Sequence, residues 1–157
     1  MQQSSVKVIV ISISNPILIG VYEDDILIKT ISQEGKTSDI LPLLFDQLLE
    51  QYNIKEIFYV NGPGSYMAIK IAYIFLKTIS IVKNIELYAL SGFDFNNNSP
   101  IKALGKKYFF REIDDNKENI TMKFLDNHKI EEFSLPENIK NINYNTDTLP
   151  EYNLPAV

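Results

Sequence analysis

The chain contains no cysteine. Disulfides, thiolate metal sites and a cysteine nucleophile are therefore excluded. Histidine is almost absent as well: His128 is the only one in 157 residues. A histidine-rich metal cluster has no material, and Ser-His or Cys-His catalysis has very little. Positive charge is in deficit, with 15 Lys and Arg against 20 Asp and Glu, for a formal charge of -5. Most of such a surface repels phosphate backbones, which argues against a broad basic face for RNA or DNA. Long hydrophobic runs are missing too. The greasiest stretch, 66–82, falls short of the roughly 20 residues that span a bilayer, and Lys70 and Lys77 interrupt it. The first five residues carry no cationic region, and the apolar run 8–13 is too short and too β-branched for a secretory signal. The expectation is a soluble cytoplasmic protein.

What is present is ordinary globular stock. The chain is 45% hydrophobic and 22% charged, too apolar for a disordered segment. Its length suits one domain, or one domain plus a fragment. A chain of this size buries about two-thirds of its unfolded surface.

Residues 6–13 form a β-branched run that reads as a central strand buried on both faces. Asn15-Pro16 breaks it. Strands follow at 17–22 and 26–31, separated by the polar turn 23–25, which suggests an antiparallel meander of three. Thr37-Ser38-Asp39 supplies N-cap chemistry for a helix reaching about residue 52. At about 100° per residue, Leu41, Leu44, Phe45, Leu48, Leu49 and Tyr52 share one apolar arc. A fourth strand covers 55–61. The turn Gly62-Pro63-Gly64-Ser65 then opens a second helix at 66–83, and a fifth strand covers 86–90.

The second helix is apolar over about 240° of its circumference. One sheet face cannot cover so wide an arc, so a second surface must bury the remainder. The two helices are expected side by side on one sheet face with a shared apolar strip outward. Phe45, Leu48, Met67 and Ile74 are the residues expected to point outward to a partner.

The order βββ-α-β-α-β implies parallel pairing across right-handed crossovers after the meander. It is the order of the ribonuclease-H-like α/β fold, with a mixed five-stranded sheet, used by actin-like ATPases and sugar kinases (the ASKHA group). Residues 1–95 form this domain and 96–100 a linker. Residues 101–135 read as a reduced, β-rich second domain, with a hairpin expected around Asn127-His128. Residues 136–157 read as an irregular tail. There is no internal repeat.

Fold alone does not fix chemistry. Actin-like ATPases and the nucleases of this fold place a carboxylate in the first strand, where it holds Mg²⁺ or activates a water. This strand offers only Ser12 and Ser14. The nucleases also want an acid at the end of the fourth strand, where Asn61 stands. Nuclease or phosphotransferase chemistry is thereby disfavoured. Gly62-Pro63-Gly64-Ser65 has neither Walker A nor dinucleotide spacing, and reads as a structural turn with Ser65 as N-cap. His128 is expected in a solvated turn. The acids at 112–118 and 131–132 are expected on solvated faces and not around a metal. No cofactor is expected.

The segment Asn61-Gly62-Pro63-Gly64-Ser65-Tyr66-Met67-Ala68-Ile69-Lys70-Ile71-Ala72 resembles the Gly-Arg-Gly-Pro-Gly-Ser-Phe-Thr-Gly-Leu-Arg-Ile-Gly signature of the TsaB (YeaZ) family, at the same place between fourth strand and second helix. Lys36-Thr37-Ser38-Asp39-Ile40-Leu41-Pro42 resembles that family's His-Ser/Thr-x-x-Leu-x-Pro entry to the first helix. Val10-Ile11-Ser12-Ile13-Ser14 stands where the family has Ile-Asp-Thr-Ser. The family's Asp is Ser12 here, its His is Lys36, its Thr-Gly pair is Met67-Ala68 and its Arg is Lys70. The resemblance covers about residues 6–92, continues faintly through 101–113, and describes a shortened, divergent member.

What the resemblance implies is a non-catalytic scaffold. It would be the dimerisation partner of a TsaD-like enzyme, which transfers threonylcarbamoyl to N6 of adenosine 37 in tRNA. A TsaE-like ATPase would be the third component, tRNA would be met only through the complex, and the chain alone would form a homodimer. The alternatives are a free-standing actin-like ATPase or kinase-related protein, and a peptidase, a label that family members have carried.

Overall fold

The computed structural model describes residues 3–126 and 129–152. Its elements follow the expected order. They are β1 (Ser5–Ile11), β2 (Ile17–Glu23), β3 (Ile26–Gln33), α1 (Thr37–Gln51), β4 (Asn53–Gly62), α2 (Tyr66–Lys83) and β5 (Glu86–Ser91). A single 3-10 turn, Gly92–Phe95, leads to β6 (Ile101–Lys102), β7 (Lys107–Asp114) and β8 (Lys117–Phe124).

The first five strands form one mixed sheet in the order β3-β2-β1-β4-β5. β1 pairs antiparallel with β2 and parallel with β4, and β5 continues parallel to β4. β1 is therefore central, as its β-branched run requires. Its side chains alternate between faces. Val8 and Val10 pack with Leu41, Phe45, Leu48, Ala72 and Leu76 of the two helices. Ile9 and Ile11 pack on the opposite face with Phe58, Val60, Phe95 and Ile139. Both helices thus cover the same face of the sheet. β3 is antiparallel to β2, so it runs along β1. α1 and α2 each return between parallel strands and run in the same direction.

Two helix starts differ from expectation. α1 begins at Thr37 itself, with Lys36 at the N-cap and no side-chain cap. The Lys36 carbonyl accepts from the N–H groups of Asp39 and Ile40, both at 3.0 Å. Thr37, Ser38 and Asp39 have already entered the helix, so none of them can cap it. Ser65 does occupy the N-cap position of α2, but its hydroxyl makes no cap bond. Its carbonyl accepts the first helical N–H, from Ile69 at 3.0 Å.

The second sheet, β6-β7-β8, is antiparallel. Its hairpin turns at Asp115-Asn116. Asp115 and Asn116 have φ of 48° and 63°, as a two-residue primed turn demands and as Asp and Asn tolerate. The pair Asp24-Asp25, with φ of 51° and 64°, makes the same turn between β2 and β3. Asn127 and His128 lie outside the described residues.

Among the described residues the tail contains no helix or strand, yet it is anchored at intervals as a strap over residues 136–152. Leu27 donates to the Glu137 carbonyl and Ile139 to that of Asp25, both at 2.9 Å, on the β3 edge. Ile139 and Ile142 then cross the sheet face opposite the helices. Ala89 and Asn145 exchange two backbone hydrogen bonds of 2.9 Å on the β5 edge. One segment therefore bonds to both open edges of the five-stranded sheet, at Asp25 and Leu27 on one side and at Ala89 on the other, and blunts backbone that would otherwise be unpaired there.

Candidate functional site

The end of β1 and the start of α2 meet at one corner of the sheet. Ser12 is buried there, and its hydroxyl has no partner. Ser14 Oγ donates to the Pro16 carbonyl at 2.7 Å, with that of Ile11 also within 3.2 Å. Neither position carries a carboxylate, and the described residues hold no group of three or more His, Asp or Glu able to bind a metal. The acids of 112–118 and Glu131 and Glu132 are exposed. Two of them meet cations: Glu112 lies 3.4 Å from Lys123 and Glu118 lies 3.6 Å from Arg111. No helix among the described residues is long and apolar enough to cross a membrane.

Gly62, Pro63 and Gly64 are buried and Ser65 is exposed. Gly62 has φ 143° and lies against the Glu151 backbone carbonyl of the strap. A Cβ on Gly64 would come within 2.7 Å of Ile13 Cγ2. Asn61, where the nucleases carry an acid, does something else. Its carboxamide donates to the Leu149 carbonyl at 2.9 Å, and its own backbone carbonyl accepts from Glu151 N–H at 2.8 Å. The Tyr59 hydroxyl donates to the Thr148 carbonyl. Burial pushes that phenol well above the ordinary tyrosine range, so it stays protonated and remains a donor. Tyr152 closes the strap against Tyr66, the first residue of α2, with ring centroids 4.4 Å apart. The carboxyl ends of β4 and β5, where open α/β sheets usually admit ligands, are here lined by the chain's own strap. Nothing in the aperiodic sequence of 136–152 marked it as a docking segment.

The helices form the other candidate face. The sheet takes Ile69, Ala72, Leu76 and Ser80 of α2. On the far side Met67 and Ile74 remain 59% and 54% exposed, joined by Ile81 and Val82. Met67, Ile71, Ile74, Thr78 and Ile81 follow one another at spacings of four and three, a continuous stripe along the helix. Between this stripe and the start of α1 runs an apolar groove of about 310 Å³, walled by Thr37, Pro42, Ile71, Ile74 and Phe75. Met67 and Ile74 thus lie where a partner could reach them.

Phe45 and Leu48 do not. They are 0% and 1% exposed and face the sheet, with Phe45 edge-on to Phe75 at 5.8 Å. They sit at the centre of the α1 apolar arc, which is the part a sheet buries first. The exposed apolar residue of α1 is Leu43, off that arc.

These elements define the class: a ribonuclease-H-like α/β domain, with its mixed five-stranded sheet, helices α1 and α2 on one face, and a small second sheet. Within that class the fold is that of YeaZ. YeaZ from Pseudomonas aeruginosa superposes with a TM-score of 0.59 over 81% of this chain and 66% of that one, at 10% sequence identity. A second solved structure, an uncharacterized protein with similarity to peptidase YeaZ from Pseudomonas aeruginosa, gives a TM-score of 0.51 over 87% of this chain and 72% of that one, at 11% identity. At such identities the likeness is one of fold. In sequence, no family model matches the chain, and no curated protein matches it either.

Proposed function

We propose that this chain is a non-catalytic scaffold subunit of the TsaB (YeaZ) type. It supports a TsaD-like threonylcarbamoyltransferase in making N6-threonylcarbamoyladenosine at position 37 of tRNA. A TsaE-like ATPase completes the complex, and tRNA is reached only through it. The observation that carries the reading is the exposed apolar stripe of α2, from Met67 through Ile74 to Ile81, on a YeaZ fold. A stripe of that length, beside an apolar groove, is more than a soluble monomer usually leaves uncovered. An equivalent pair of helices would bury it as a four-helix interface. Such a face is self-complementary under two-fold symmetry, so it serves a homodimer when the TsaD-like partner is absent. Ser12 in place of the family aspartate supports the non-catalytic part of the reading.

Co-expression with the host's TsaD-like protein tests it. A stable complex is expected, together with loss of the modified nucleoside from tRNA when this chain is depleted. A chain that stays monomeric at high concentration and ignores the TsaD-like protein overturns the reading. Turnover of ATP or a peptide by the isolated chain, lost on Ser12→Ala, would favour a free-standing actin-like ATPase or a peptidase instead.

A further inference from the structure

Both α1 and α2 begin without a side-chain cap. The first N–H groups of an α-helix have no acceptor inside it. In α1 these include Thr37 and Ser38, because the Lys36 carbonyl takes Asp39 and Ile40. In α2 they include Met67 and Ala68, because the Ser65 carbonyl takes Ile69. The two helices run in the same direction, and both start at the end of the sheet where β1 finishes. Thr37, Ser38, Met67 and Ala68 line one cavity there, of about 790 Å³. Two helix dipoles thus turn their positive ends on a single space. Ser12 lines the same cavity. It continues the alternation of Val8 and Val10, which face the helices. Ser12 is only 4% exposed, yet its hydroxyl has no hydrogen-bond partner among the described residues. A buried hydroxyl left in that condition is costly, and a ligand that accepts from it removes the cost. Lys36 adds a cation to the lining and Glu34 an anion. Those two offset each other, so the backbone N–H groups set the sign of the field.

From this we infer that the cavity binds the phosphate group of a small phosphate monoester. The inference does not depend on the scaffold reading. Helix starts bind anions through exactly such unpaired N–H groups. Here donors come from three elements: Ser12 after β1, Thr37 and Ser38 of α1, and Met67 and Ala68 of α2. A flat carboxylate has two oxygens to offer them, whereas a phosphate ester has three strong acceptors and can meet all three elements. The Lys36 ammonium supplies a further donor at the exposed side of the cavity. Ser14 adds none, since its hydroxyl already donates to the Pro16 carbonyl. The body of the ester lies against Ile17, Met67 and Ile71, the apolar part of the lining. Free phosphate would leave that wall unused.

Amide NMR of the full chain tests it, with sodium phosphate, phenyl phosphate and acetate titrated at constant ionic strength. Both phosphates should shift the amides of Thr37, Ser38, Met67 and Ala68 saturably, and acetate should not. Phenyl phosphate should bind more tightly than phosphate, because its ring buries against the apolar wall. Equal or weaker binding overturns the monoester and assigns the site to free phosphate. Ser12→Ala should weaken phenyl phosphate about tenfold, the usual effect of losing a hydrogen bond to a charged group. Lys36→Gln removes an exposed charge and should weaken it about threefold. Ser38→Asp sets a competing carboxylate at the start of α1 and should abolish binding. Melting separates binding from structure. Without ligand, Ser12→Ala should melt no lower than wild type, because it removes a hydroxyl that has no partner. It should also lose the rise in melting temperature that phenyl phosphate gives the wild type. A lower melting point of unliganded Ser12→Ala would give the hydroxyl a structural role and overturn it as a ligand. Shifts that acetate reproduces, or binding that Ser12→Ala and Ser38→Asp leave unchanged, would overturn the site. None of these outcomes bears on binding to the TsaD-like protein.

Discussion

The backbone carbonyl of Glu151 occupies the space where a side chain on Gly62 would begin. The strap and the turn before α2 are thus built against each other, and only a glycine leaves room. At φ 143° the position is also strained for any other residue. Gly62→Ala should cost about 2–3 kcal/mol, from backbone strain plus displacement of the strap. The loss should appear in thermal melting, and the Glu151 amide should lose its protection from hydrogen exchange before the rest of the sheet does. Wild-type melting and protection would mean that the strap shifts without penalty.

Helix rotation separates two substitutions that sequence alone treated as equivalent. Phe45→Ala empties a fully buried site between sheet and α2 and should cost about 3–5 kcal/mol. Ile74→Glu places a charge on an exposed site and should leave melting near wild type. Its effect should fall on association, with loss of both the homodimer and the TsaD-like complex. Aggregation or unfolding of Ile74→Glu would mean that Ile74 is needed inside the fold.

What the sequence made legible was what periodicity carries. The β-branched run of β1, the two crossovers and the excess apolar surface of α2 all follow from spacing, and they dictate the sheet order. Rotation about a helix axis is a weaker signal. The α1 arc spans Leu41 to Tyr52, and its centre, Phe45 and Leu48, went to the sheet while Leu43 stayed outside. The α1 cap was misjudged by one residue, because Lys36 can close the helix with its backbone carbonyl alone, whereas Ser65 was rightly placed at the start of α2. The strap was not legible. Its attachments are backbone carbonyls and amides meeting Tyr59, Asn61 and Ala89, and such contacts leave no period in the chain.

The strap should respond to acid. Partial burial holds the Glu151 carboxyl above the ordinary carboxylate range, and the negative charges of Glu118 and Asp147 push it the same way. A group whose value rises on docking favours the docked state while protonated. That contribution is complete below the free-chain value and is lost as pH climbs through the docked one. At neutral pH the ionised carboxylate therefore opposes docking. Glu151→Gln should raise the melting temperature slightly at neutral pH, and the gain should vanish below about pH 4, where wild-type glutamate is protonated too. A gain that persists in acid would trace to something other than charge.

Removing residues 145–157 tests how much of the fold the strap holds. The deletion strips the backbone partner from Ala89 on the β5 edge, the acceptor from the Tyr59 hydroxyl, and both partners from Asn61. Tyr59 and Asn61 are buried, and a buried polar group left without a partner costs about 1–3 kcal/mol. These losses belong to one segment, so they should not add fully. Tyr59→Phe in the full chain isolates one of them: it removes the donor, leaves the carbonyl of buried Thr148 without it, and should cost about 1–3 kcal/mol. The truncated chain should melt well below both, and it should aggregate, because an uncovered β5 edge invites pairing with another molecule. Equal melting and solubility of the truncated and full chains would show that the first sheet stands without its strap. Aggregation with unchanged melting would assign the strap to edge protection and not to stability.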